Sequence, residues 1–313
     1  MSFSLETKNE LAHVEPDKKC CMLAEIAGFI RMCGSIRLAG GGKFRIITTT
    51  ENPAVARHYK KLMHEYFGIE TRLEVGQANT LKKGRAYLLT IDPDNLSDQI
   101  LRETGILMVR EGMNFISDGI FDGLIRTKCC KKAYLRGIFL AAGTITDPEK
   151  SYHLEISCTS QILANDVRKL INSFVDLHPK VSARKKNYAV YVKEAEQIKD
   201  ILALMGASNQ IFTFENVRMT KEIRNQANRI NNCDHANIDK ALKASEKHMA
   251  AINKIIDARG LEFLPPKLQD VAVLRMENPD ASLQELADMC DPPMKKSGIN
   301  NRFRKIEEIA SKL

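Results

Sequence analysis

The chain contains no tryptophan, and aromatic residues make up only 6% of its 313 positions. That scarcity argues against a single-strand binder that stacks successive bases on aromatic rings. No apolar run approaches the roughly 20 residues a membrane-spanning helix needs, and the first ten residues, Met1 to Glu10, are too polar for a secretory signal. The expected location is the cytoplasm, with no membrane partner. No C-x-x-C pair occurs either, which removes support for zinc-ribbon and thioredoxin-like readings. The eight cysteines are instead two adjacent pairs, Cys20-Cys21 and Cys129-Cys130, with Cys33, Cys158, Cys233 and Cys290 scattered. Cys233-Asp234-His235 has no second pair at zinc-finger spacing. These thiols read as a reduced intracellular set, with no metal and no cofactor.

What is present is a basic excess. Lys and Arg total 47 against 39 for Asp and Glu, a formal charge of +8. Such a balance fits a polyanionic partner without identifying it. The length accommodates about two domains of ordinary size.

The most informative feature is a repeat. Ile26-Ala27-Gly28-Phe29-Ile30-Arg31-Met32-Cys33-Gly34 matches Leu135-Arg136-Gly137-Ile138-Phe139-Leu140-Ala141-Ala142-Gly143 at an offset of 109 residues. The segments that follow also match: Phe44–Thr50 and Asn52–Ala56 align with Tyr152–Cys158 and Ser160–Ala164. Solenoid repeats run to about 20–50 residues, so a period this long means a duplicated subdomain. A glycine inside a helix costs about 1 kcal/mol relative to alanine. Its presence at Gly28 and again at Gly137 predicts compensation through close helix–helix approach.

These nine-residue segments resemble the motif of LAGLIDADG homing endonucleases, in which an acidic residue at the eighth position binds the catalytic metal. Here the eighth positions are Cys33 and Ala142. Magnesium needs hard oxygen ligands, and neither a thiol nor a methyl group supplies one. Glu25 and Arg31 neighbour the first motif but lie elsewhere around the helix. The resemblance therefore implies an inherited scaffold without its nuclease: no catalytic residues, no metal, and no enzymatic activity.

Periodicity and turn signals give the element order. In the first repeat, Lys18–Gly34 reads as a helix, and Gly40-Gly41-Gly42 as a hairpin turn between a short strand and the strand Phe44–Thr50. These glycines do not cradle phosphate, since no G-K-[ST] follows. A helix capped by Asn52 with Pro53 in its first turn runs to Phe67. Strands Ile69–Val75 and Arg85–Ile91 follow around a basic loop, Lys82-Lys83-Gly84-Arg85, and a helix from Asp94 to Glu103 closes the unit. The second repeat gives helix Lys131–Ala142, strand Tyr152–Cys158, helix Ser160–Val175, strands Lys180–Arg184 and Tyr188–Lys193 around Arg184-Lys185-Lys186, and helix Glu194–Met205. Each repeat is αββαββα. The fold class is α+β: a duplicated LAGLIDADG-like saddle followed by an all-α helix-turn-helix domain.

The expected domains are residues 1–207 for the saddle (repeats about 18–105 and 130–206), 208–259 for a helical linker, and 260–313 for the C-terminal unit. The linker reads as two helices, Phe214–Ile230 and Asp234–Arg259, the first made basic by Arg218, Lys221, Arg224 and Arg229. Beyond Gly260 and Pro265-Pro266 come a helix at Lys267–Met276, a capping box at Ser282-Leu283-Gln284-Glu285, and a final amphipathic helix. Ile299, Phe303, Ile306 and Ala310 share one face of that last helix. The opposite face presents Ser297, Asn300, Asn301, Arg304 and Lys305, with Lys295 and Lys296 leading in and Arg302 at the margin. Arginine can fork onto guanine and asparagine can pair with adenine, while lysine, serine and a helix N-terminus hold phosphates. These eight residues are the candidate contacts to double-stranded DNA.

Taken together, the chain resembles the WhiA sporulation transcription regulators of Gram-positive bacteria. The resemblance rests on Ser2-Phe3-Ser4, Lys8–Ala12, Cys130–Gly143, Asp147–Glu155, Arg229–Lys240, Ser282–Ala287 and Lys296–Ile306. It implies a DNA-binding regulator of sporulation, of cell division and chromosome segregation, or of both, associated with the nucleoid. It also implies a partner, either a WhiB-type iron–sulfur protein or the transcription machinery. The competing expectation is an architectural nucleoid protein with little sequence preference.

Overall fold

A computed structural model describes residues 2–77, 85–94 and 96–313. The chain divides into two compact units, Met1–Lys221 and Glu222–Leu313.

The first unit opens with a helix that the sequence reading did not include, α1 (Phe3–Leu11), capped by Ser2. Phe3, Thr7 and Leu11 are buried at four-residue spacing along its inner face. The first repeat follows as α2 (Lys19–Cys33), β1 (Gly34–Leu38), β2 (Phe44–Thr50), α3 (Pro53–Phe67), β3 (Arg72–Gln77), β4 (Arg85–Ile91) and α4 (Ser97–Glu103). Gly40, Gly41 and Gly42 all take positive φ, as a hairpin turn built from glycine requires. Asn52 accepts from the amides of Ala54 and Val55 and so caps α3. Of the expected basic loop, Lys82, Lys83 and Gly84 lie outside the described residues.

A short hairpin, β5 (Leu107–Arg110) and β6 (Met113–Ile116), stands between the repeats. It was not anticipated. Its two turn residues, Glu111 and Gly112, both have positive φ, the geometry usually announced by Asn-Gly or Asp-Gly. The second repeat is α5 (Lys128–Ala142), β7 (Gly143–Ile145), β8 (Leu154–Cys158), α6 (Gln161–Asn172), β9 (Lys180–Ala183), β10 (Tyr188–Val192) and α7 (Ala195–Met205). The two four-stranded antiparallel sheets have equivalent orders, β1-β2-β4-β3 and β7-β8-β10-β9. The duplication seen in sequence is thus a duplication of topology.

The motif helices α2 and α5 pack against each other along their length. They meet at two glycines, Gly28 against Tyr134 and Ile138 and Gly137 against the backbone of Glu25 and Phe29, and most of the residues buried along both helices are apolar. One buried ion pair joins them: the Arg136 guanidinium donates to Glu25 Oε2 at 2.5 and 3.0 Å, while His58 Nε2 lies 2.8 Å from Glu25 Oε1. Arg136 also donates to the Met205 carbonyl at 3.1 Å. Glu25 is therefore tied up in the core.

The next helix, α8, runs unbroken from Ser208 to Arg259. This corrects the expectation of two helices separated at 231–233. Asn231-Asn232-Cys233 contains neither proline nor glycine, so nothing there stops the helix. Its beginning belongs to the first unit: Phe214 is buried in that core, and the Glu10 carboxylate accepts from the amides of Asn209 and Gln210 at 2.7 and 2.9 Å. Its end belongs to the second unit, where Ile252 and Ile255 are fully buried. That unit is completed by α9 (Pro266–Glu277), α10 (Leu283–Asp288) and α11 (Lys296–Ser311). The Ser282–Glu285 capping box that opens α10 is fully formed. No helix among the described residues is long and apolar enough to cross a membrane.

Candidate nucleic-acid interface

Helix α11 buries Ile299, Phe303, Ile306 and Ala310 against Val271, Ala272, Leu286 and Ala287. Their spacing fixes the rotation of the helix and so determines what faces outward. Phe303 is clamped between two side chains: His248 stacks on it with ring centroids 3.9 Å apart and planes 7° apart, and the Arg275 guanidinium lies 5.5 Å from its centroid. Arg275 is itself fully buried and donates to the carbonyls of Asn278, Pro279 and Ala281 at 3.3, 3.2 and 2.6 Å. It thereby fixes the turn from α9 to α10. The amide of Met294 donates to the Ala287 carbonyl at 3.0 Å, tying the next turn back to α10. Neither support was visible in sequence, because a buried arginine or histidine has the same letter as an exposed one.

With the helix so oriented, Lys295, Lys296, Ser297, Asn301, Arg304 and Lys305 are exposed. At 100° per residue, Ser297, Asn301 and Arg304 fall on one stripe within a third of a turn. Asn300 is half-buried beside it. Arg302 is also half-buried and reaches back toward the Lys267 carbonyl at 3.4 Å, away from the stripe. Lys295, Lys296, Arg304 and Lys305 form no ion pair among the described residues. The N-cap residue, Lys295, supplies no side-chain cap; its carbonyl accepts from the amides of Gly298 and Ile299, which leaves the amides of Lys296 and Ser297 as the outward donors of the helix start.

The basic residues of the first unit are differently disposed. Arg45 and Arg72 both meet Asp92 at 3.3 Å, and Arg184 meets Glu155 at 3.2 Å. Arg218 pairs with Glu196 and Glu215, and Lys221 donates to the Pro148 carbonyl at 3.0 Å. Of the four basic residues expected to charge the start of the long helix, two are thus engaged by their own unit. Lys185 and Lys186 remain exposed in the β9–β10 turn.

The motif positions lie at the C-terminal ends of α2 and α5. Cys33 is half-buried; its thiol donates to the Phe29 carbonyl at 3.2 Å, and burial pushes it up to about 12. Ala142 offers only a methyl group. Beside them α1, Thr49–Asn52 and Ala141 enclose a cleft of about 630 Å³. Lys8 enters it, with burial lowering its ammonium to about 8. Among the described residues, no trio of carboxylate, histidine or cysteine ligand atoms gathers at this end.

Two LAGLIDADG-type repeats with a helix-turn-helix unit define the class: an endonuclease-like scaffold joined to a module of the DNA-binding type. Three family models match, the WhiA N-terminal LAGLIDADG-like domain at residues 19–107, the WhiA LAGLIDADG-like domain at 131–224, and the WhiA C-terminal HTH domain at 227–310. The chain belongs to the WhiA family. It is 46% identical over its full length to a probable cell division protein WhiA from Thermoanaerobacter pseudethanolicus, covering 98% of that protein. It is 43% identical, again over its full length, to one from Alkaliphilus metalliredigens, also covering 98%. The full-length DUF199/WhiA structure from Thermatoga maritima shares the fold, with a TM-score of 0.59 at 22% identity over 100% of this chain and 99% of that one. The isolated N-terminal LAGLIDADG domain of DUF199/WhiA matches with a TM-score of 0.51 at 23% identity, over 66% of this chain and 90% of that one.

Proposed function

We propose that this chain is a sequence-selective regulator that binds duplex DNA through the outward face of α11, and that it does not cut DNA. The observation that carries the reading is the exposed stripe of Ser297, Asn301 and Arg304, flanked by Lys295, Lys296 and Lys305, none of whose charges is spent on an ion pair among the described residues. Arginine and asparagine are base readers in the major groove, and a helix start with free amides and two lysines holds phosphate. By contrast, Arg45, Arg72 and Arg184 of the repeats already have carboxylate partners, so the scaffold is the weaker candidate for DNA contact. The absence of cutting is supported by Cys33 and Ala142 at the two motif positions. Relatives named as probable cell division proteins favour a regulon concerned with division, chromosome segregation or sporulation, with the protein on the nucleoid.

Genome-wide occupancy mapping of the intact protein tests the reading. Discrete peaks at promoters support it. A uniform coat would instead identify an architectural protein held through phosphates alone.

A further inference from the structure

Two cysteine pairs far apart in sequence come together in space. Cys20 and Cys21 are the second and third residues of α2, and Cys129 and Cys130 are the second and third of α5. They are related by the same 109-residue offset as the motifs themselves. Because α2 and α5 pack side by side, their first turns meet. The Sγ atoms of Cys20, Cys21 and Cys130 all lie within 4.8 Å of one another. Cys129 stands next to Cys130 at the edge of this trio, its Sγ 3.2 Å from Thr127 Oγ1, and it interacts electrostatically with Cys21. Cys21 and Cys130 are buried while Cys20 and Cys129 are exposed, so the cluster has two anchored ligands and an open side for entry.

We propose that Cys20, Cys21, Cys129 and Cys130 form a tetrathiolate site for one zinc ion, joining the two repeats at the N-terminal ends of their motif helices. Zinc–sulfur bonds of about 2.3 Å set tetrahedral ligands about 3.8 Å apart. The thiols of Cys20, Cys21 and Cys130 are already within 4.8 Å of one another, and Cys129 joins them as the fourth ligand by turning its Sγ away from Thr127 Oγ1. A four-iron cluster would hold its sulfurs farther apart than this. Thiolate softness selects zinc over magnesium or calcium. The charge also fits. Four thiols bind Zn²⁺ by releasing four protons, which leaves a complex of net charge −2. Two helix N-termini point their positive ends at it, neither first turn contains an acidic residue, and Lys18, Lys19 and Lys128 adjoin the cysteines in sequence. The site lies at the opposite end of α2 and α5 from Cys33 and Ala142. Its consequence is mechanical: a metal clasp at one end of the seam that Gly28 and Gly137 hold in the middle.

The test uses the full-length chain, purified reduced and metal-free, and titrated with Co²⁺ and then Zn²⁺. One cobalt per chain, with the thiolate charge-transfer and visible bands of tetrahedral sulfur coordination, displaced by zinc, is the expected result. The Cys20→Ser, Cys129→Ser double variant alters only exposed positions and should lower zinc affinity by about a hundredfold or more. Cys233→Ser, exposed in α8, should leave it unchanged. Chelation should lower the melting temperature of the wild type and not that of the double variant. The proposal is overturned by the absence of sulfur–cobalt bands, by unchanged affinity in the double variant, by an iron chromophore in the protein as isolated, or by a disulfide within the cluster that zinc does not prevent.

Discussion

Gly28 on α2 and Tyr134 on α5 meet backbone to backbone: a Cβ at residue 28 would stand 2.6 Å from the Tyr134 carbonyl oxygen. One at Gly137 would press in the same way on the Glu25 carbonyl. Alanine would gain about 1 kcal/mol in helix propensity at either position. Overpacking costs about 1–3 kcal/mol and more where the obstacle is backbone that cannot rotate away. Gly28→Ala and Gly137→Ala should therefore each lower stability by a net of about 1–2 kcal/mol or more, read as a lower urea midpoint at unchanged m-value. Gly298→Ala is the control, since its Cβ meets only the flexible Met294 side chain at ordinary contact distance. Equal midpoints for wild type and both motif variants would mean that close approach is not what requires glycine there.

A second expectation concerns pH. Burial, and after it the Arg275 guanidinium, lower His248 to about 4, against an opposing pull from Glu307. The folded state therefore refuses a proton that the unfolded chain accepts near pH 6.5. Stability of the second unit should be full above about pH 6.5 and fall as the pH drops toward 4, by as much as about 3 kcal/mol. Hydrogen-exchange protection of α11, corrected for intrinsic rates, should fall about tenfold or more between pH 7 and 5. His248→Phe keeps a ring against Phe303 and should flatten the profile. A profile equally steep in that variant would place the titrating group elsewhere.

Incubation of the chain with a plasmid library and Mg²⁺ or Mn²⁺ should yield no double-strand cleavage, because Cys33 and Ala142 offer no hard oxygen at the motif positions. Cys33→Asp combined with Ala142→Asp need not restore cutting, since Lys8 now holds a positive charge in the cleft beside them. Metal-dependent cutting at a defined site, lost on mutation around Cys33, would contradict the reading.

The repeat made most of the first unit legible. Paired motif helices, both hairpin sheets and the Asn52 and Ser282 caps follow from apolar spacing and turn chemistry in the sequence. What was hidden is what needs three dimensions. The α1 helix is short and polar, and only its docking shows that Phe3, Thr7 and Leu11 share a buried face. The Glu111-Gly112 turn carries an unfamiliar first residue. The apolar face of α11 could be read from its spacing, but Arg275 and His248, which hold Phe303 from behind, could not. The cysteine pairs looked unconnected because the pairing runs between repeats, across the helix seam.

If α11 reads sequence, selection of duplexes from a random pool by the intact chain will show it. Wild-type protein should enrich a defined motif. Asn301→Ala or Arg304→Ala should relax preference at specific positions of that motif, with a loss of about 1–3 kcal/mol on the selected duplex and little change on scrambled DNA at the same salt concentration. Lys295 and Lys296 would continue to hold phosphates in both variants. Undiminished enrichment of the same motif by an Asn301→Ala, Arg304→Ala double variant would show that another surface is the reader and that α11 is not.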